Sequence, residues 1–205
     1  MSSLPLVVAI TGASGVAYGI RALERLREMD VETHLVVTKH ARATIAVETD
    51  RTAAEVKGLA SVCHSEADVG APIASGSFRT RGMLVLPCSI RTLSGVANST
   101  DDNLVIRAAD VQLKERRPVV LAVRETPLHG GHLRLMGEVT GMGGIIMPPV
   151  PAFYHRPTTV AEIVDHTVVR CLDLLGLSPE DAPRWNGRRG GEPRPLTLMV
   201  DDQAL

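Results

Sequence analysis

The chain has 205 residues, of which 44% are hydrophobic and 22% charged, and its 22 basic and 23 acidic side chains leave a formal net charge of −1. That length suits one domain with its own apolar core, and the near-neutral balance argues against a nucleic-acid or membrane surface. Aromatics make up only 2% of the chain, so aliphatic packing builds the core and base-stacking platforms are not expected.

Leu6–Thr11 is a short apolar run rich in β-branched residues and reads as a buried strand. Gly12-Ala13-Ser14-Gly15 turns the chain into a helix over Val16–Met29, with its apolar face at Ala22, Leu23, Leu26 and Met29. Val31–Thr38 is the second strand, followed by helices over Ala41–Glu48 and Thr52–Leu59. Residues 61–81, with GAPIASGS inside them, read as a strand fragment and a long loop. Met83–Leu86 is a buried strand closed by Pro87-Cys88-Ser89, and helices follow near Thr92–Ala97 and over Asn103–Arg116. Val119–Val123 is the next strand, and Arg124-Glu125 leave its carboxyl end. Then come a helix over His132–Met142, a strand over Gly144–Met147 and a proline-rich loop over Pro148–Pro157. A long helix over Thr158–Leu175 is terminated by Gly176. Residues 1–183 form one expected domain; from Arg184 the composition shifts to RWNGRRGGEPRP, a tail that is flexible or packs on a neighbouring subunit.

Apolar strands alternating with helices call for an α/β three-layer sandwich, a mostly parallel sheet covered on both faces. In such a sheet the site lies beyond the carboxyl ends of the strands. The unusual residues follow strand ends: Gly12–Gly15, Thr38, Ser89–Thr92, Arg124-Glu125 and Phe153-Tyr154. No apolar run reaches the length of a membrane span, and MSSLPLVVAITGASG lacks the basic opening of a signal peptide. Cys63, Cys88 and Cys171 form no C-x-x-C, so a reducing cytoplasm is the expected setting. The seven histidines have no metal-ligand spacing, and no metal site is expected.

A glycine turn between strand and helix exposes N–H groups at a positive helix end and suits an anion, although ligand-free turns of this kind are common. Dinucleotide binding is the rival reading of Thr11-Gly12-x-x-Gly15, but Tyr18 and Tyr154 are followed four residues later by Ala22 and Thr158, not lysine. The second strand also ends in Thr38-Lys39 rather than an acidic residue that could hold a ribose. Ser89 and Thr92 suit either a phosphate or an ordinary helix cap. Arg116 and Arg117 oppose a helix dipole, which explains Lys114 less well and Arg107 hardly at all. Glu48 and Glu125 each end an apolar element, where a carboxylate is costly unless paired or functional. Tyr154 and Arg170 suit phosphate oxygens.

Seven blocks carry a family resemblance: TGASG, ETD, ASGSF, PCSIRTLSGVA, NLVIRAADVQLKERRPVVL, RETPLHGGHLRLM and MPPVPAFYHRP. In this order, across about residues 5–185, the chain resembles UbiX-type flavin prenyltransferases, in the subgroup whose members accompany phenolic acid decarboxylases. The resemblance implies a flavodoxin-like fold and a cytoplasmic homo-oligomer, typically a dodecamer, with FMN between subunits. It implies that Gly12, Ala13, Ser14, Thr38, Ser89, Ile90, Arg91, Thr92 and Arg124 bind FMN. It implies that Arg107, Lys114, Tyr154, Arg170 and Trp185 hold dimethylallyl phosphate, with Lys114 also catalytic. Ser14, Glu48 and Glu125 are the implied proton carriers. The implied product, FMN prenylated at N5 and C6, serves a UbiD-like decarboxylase. Val69 stands where some relatives have an aromatic residue. A peptidyl-cysteine decarboxylase is the alternative, but PCSIRT replaces the PASANT-like motif of those enzymes. A non-catalytic flavin carrier is the third reading.

Overall fold

The structure, a computed structural model, describes residues 4–179; the expectations for Trp185 and the 184–205 tail lie outside the described residues. Six strands form one sheet: β1 (Leu6–Ile10), β2 (Thr33–Val37), β3 (Val62–His64), β4 (Gly82–Cys88), β5 (Val119–Val123) and β6 (Ile145–Ile146). Their order is β3-β2-β1-β4-β5-β6, and every adjacent pair is parallel. The helices are α1 (Val16–Glu28), α2 (Lys39–Glu48), α3 (Ala53–Lys57), α4 (Ile90–Ala97), α5 (Leu104–Lys114), α6 (Gly130–Gly141) and α7 (Val160–Asp173). The result is the flavodoxin-like α/β sandwich expected from the alternating pattern.

Strand periodicity builds the three layers. Leu6, Val8 and Ile10 point to one side and pack with Leu84, Leu86, α1 residues Leu23 and Leu26, and α7 residues Val168 and Leu172. Val7 and Ala9 point to the other side, toward Met83, Val85 and the buried faces of α4, α5 and α6. Each fully buried leucine or valine contributes about 1.5–3 kcal/mol relative to exposure. Arg21 Nε and Arg25 Nε donate to Asp165 Oδ1 at 2.7 and 2.8 Å, so α1 and α7 are also joined by charge.

The observed bounds depart from the expected ones for local reasons. α2 starts at Lys39, two residues early, because the Thr38 hydroxyl accepts from Ala41 N and so caps the helix. α6 starts at Gly130 because His129 Nδ1 accepts from Gly131 N at 3.0 Å. α7 ends at Asp173, yet Gly176, at φ 69°, still closes it, with Leu177 N donating to Leu172 O at 3.0 Å. β4 continues through Pro87 to Cys88, and its pairing with β5 shifts register between Val85 and Cys88. Arg117 does more than oppose a dipole: its guanidinium donates to Gly76 O at 2.7 Å and Phe78 O at 2.8 Å, clamping the 74–78 loop.

Candidate active site

Chain direction reverses across the sheet between β1 and β4, since β2 and β3 lie on one side of that pair and β5 and β6 on the other. Loops leaving β1 and β4 therefore diverge and leave a crevice at their carboxyl ends. Thr11, at the end of β1, ties the floor together: its hydroxyl donates to Pro87 O and accepts from Ser89 N, both at 2.8 Å. Arg124 N donates to Cys88 O at 3.0 Å, bringing the end of β5 to the same place.

The cleft above this floor has a volume of about 800 Å³, within the range of small-molecule sites. Gly12, Ala13 and Ser14 form its β1 wall, Thr38 its β2 edge, Ser89 to Thr92 its β4 wall, and Arg124 and Glu125 its β5 edge. All nine residues expected to bind a flavin thus line one cavity, together with Ser14 and Glu125 of the expected proton carriers. Gly12 has no room for a side chain, because a Cβ there would collide with the Cβ of His40. Gly15 sits at φ 96°, a conformation that favours glycine.

Helix ends supply the donors. The Ser89 hydroxyl caps α4 through Thr92 N at 3.3 Å, so the capping reading of Ser89 holds. Ile90 and Arg91 offer the next backbone N–H groups, which have no partner among the described residues. Three cations, Lys39, Arg91 and Arg124, face three carboxylates, Glu66, Asp102 and Glu125, around the rim. Small residues on one wall, free amides on the other and cations at the rim fit a flat ring carrying a phosphate.

Glu48 lies just behind the glycine turn. Its Oε2 accepts from Gly15 N at 2.8 Å and Val16 N at 3.1 Å, the first amides of α1, for which Gly15 has no side-chain cap. Partial burial pushes its carboxyl up, but bonds from the Ser14 side chain, Gly15 and Val16, with the Arg124 charge, hold it below the usual range. The Ser14–Glu48 pair is therefore assembled, with Glu48 ionised near neutrality. Tyr18, absent from the sequence expectations, also lies near Arg124; burial raises its phenol above the ordinary value. Cys88 is no nucleophile: full burial drives its thiol far up.

The remaining expected residues do not line this cleft. Arg107 donates to Ala74 O at 3.2 Å and pairs with Asp101 at 3.0 Å and Asp110 at 3.4 Å. Lys114 pairs with Glu115 at 2.6 Å, and Arg170 with Asp173 at 2.7 Å. The Tyr154 hydroxyl lies 2.8 Å from His166 Nε2. Val69 is exposed in the loop after β3 and also stays outside the cleft. Conversely, Lys39, His40, Glu66, Ala67, Asp102, Asn103 and Ile106 line it without having been singled out. The strand-end rule could have found Glu66 and Ala67, but β3 has only three residues and an exposed pattern, so its end carried no signal.

A model of the flavoprotein family matches residues 1–139. The chain is 56% identical over 185 residues to the flavin prenyltransferase UbiX of Escherichia coli strain K12, covering 89% of this chain and 98% of the relative. It superposes on AnUbiX (PadA1), crystallised with FMN and dimethylallyl pyrophosphate, with a TM-score of 0.89 and 49% identity, covering 91% of this chain and 100% of that one. A dodecameric FMN-dependent UbiX-like decarboxylase from Escherichia coli O157:H7 gives a TM-score of 0.87 at 50% identity, covering 90% and 100%.

Proposed function

The chain belongs to the UbiX family of flavin prenyltransferases, and from that premise we propose that it binds FMN in the strand-end cleft and prenylates it. The donor is dimethylallyl phosphate, the new bonds are at flavin N5 and C6, and the product serves a UbiD-like decarboxylase. One observation carries this reading: four separate chain segments bring nine flavin-type contacts to a single cleft of about 800 Å³.

When bound, reduced FMN supplies the nucleophile. The chain does the rest. The small Gly12, Ala13 and Ser14 leave space for a ring against the β1 turn, and Thr38, Ser89, Thr92 and Arg124 orient it. Ser14 and Glu48 form the inner proton relay, with Glu48 ionised and ready to accept a proton at neutral pH. Glu125, exposed at the rim, is the second proton carrier. Arg107, Lys114, Tyr154 and Arg170 stabilise the departing phosphate electrostatically, and Trp185 belongs to the same substrate set. These groups reach the cleft from neighbouring copies in a homo-oligomer, most simply a dodecamer. A cytoplasmic setting suits the three free cysteines.

The test is direct. Protein, reduced FMN and dimethylallyl phosphate are mixed without oxygen, and the flavin is weighed by mass spectrometry. The flavin is expected to gain one isoprene unit. An unchanged flavin, together with carbon dioxide released from a peptidyl thiol, would replace this reading with the cysteine-decarboxylase one.

A further inference from the structure

The amino-terminal turn of α2 forms part of the cleft wall, through Thr38, Lys39 and His40. A carboxylate of the chain itself already sits there. Glu66 Oε2 accepts from Lys39 N at 2.7 Å, while Thr38 Oγ1 takes Ala41 N at 3.2 Å. The Glu66 main chain is anchored separately, its carbonyl accepting from Leu104 N at the start of α5 at 2.8 Å. Glu66 is half-buried and lines the cavity rather than solvent beyond it. It has no ion pair among the described residues, so its charge is balanced by the helix end and the rim cations. A bound phosphate would find this anion beside the donors that it needs, and two anions repel where water is partly excluded.

We propose that Glu66 is a built-in competitor of the ligand's phosphate, occupying the α2 end of the cleft in the free protein and setting how strongly phosphorylated flavins are preferred over unphosphorylated ones. The inference rests on the cleft being the flavin site. Binding requires the carboxylate to swing off Lys39 N, which the anchored backbone of Glu66 permits without moving α5. Removing the charge relieves the competition and leaves the ring contacts on the β1 and β4 walls untouched.

The experiment measures dissociation constants of FMN and riboflavin by flavin fluorescence for the wild-type protein and Glu66→Gln, with Glu66→Ala as a second variant. Thermal unfolding verifies that each is folded. FMN is expected to bind Glu66→Gln about tenfold more tightly, a modest electrostatic gain for a half-exposed pair of charges, while riboflavin changes less than about twofold. Glu66→Ala is expected to follow. The FMN gain is expected to shrink as salt is raised. Equal changes for the two flavins, or a selective loss of FMN, would overturn the inference, the latter making Glu66 a positioning residue. A wild-type protein that binds neither flavin would instead defeat the cleft assignment beneath it.

Discussion

The strand-end cleft and the cationic set on α5, α7 and the 148–157 loop are built on opposite principles. In the cleft, loops from four strands converge within one chain, and the pieces are stitched by short bonds such as Thr11 to Pro87 and Ser89. In the cationic set, Arg107, Lys114 and Arg170 each pair with a carboxylate on their own stretch of chain, and none opens onto the cleft. A ring-binding surface can be completed by one fold. A set that grips a leaving phosphate, if it is to act on that ring, has to be supplied by more than one copy.

The largest expected effects sharpen that contrast. Glu48→Gln and Lys114→Ala should each lower turnover by about 100-fold or more while FMN binding persists, as measured by anaerobic single-turnover assays and flavin titration. Glu48→Gln should also cost about 1 kcal/mol of stability, because an anionic cap on α1 is lost; Lys114→Ala, at an exposed site, should not. Normal turnover in both variants would remove the proposed roles.

Ground-state binding should separate the two regions next. Arg124→Ala should weaken FMN binding by about 10- to 100-fold, the scale of a lost charge-assisted hydrogen bond. Arg170→Ala should change it less than about twofold under the same titration. Equal losses would mean that both regions contact the flavin and that the division drawn above is wrong.

The smallest expected effect concerns the scaffold. Hydrogen bonds from Arg25, and then Arg21, hold the Asp165 carboxyl below its ordinary value despite partial burial. A depressed carboxyl stabilises fully above the unfolded value of about 4 and loses that contribution as pH falls through the folded value. Asp165→Asn should therefore cost about 1–3 kcal/mol at neutral pH and flatten the acid limb of stability below about pH 4. Denaturant midpoints at pH 7 and pH 3 measure both.

Much of the fold was legible because period and punctuation agreed. Val119–Val123 is apolar throughout and is the observed β5, residue for residue. The glycine turn at 12–15 and the caps at Ser89 and Thr38 marked strand-to-helix junctions, and those junctions are the cleft. What stayed hidden depended on distant partners. Glu48 caps a helix that begins 33 residues earlier in the chain, at Gly15. Glu66 follows a strand too short and exposed to register as one. Arg117 looked like a dipole partner because the loop carbonyls of Gly76 and Phe78, about forty residues away, are invisible to local pattern.

The most direct test of a site divided between copies is complementation. Arg124→Ala chains, impaired in the cleft, and Lys114→Ala chains, impaired in the cationic set, are produced separately and also co-expressed as mixed oligomers. Each alone should be nearly inactive in the anaerobic prenylation assay, and the mixture should recover activity, since some sites then combine an intact cleft with an intact lysine from another chain. Mixed oligomers as inactive as their parents would contradict a shared site.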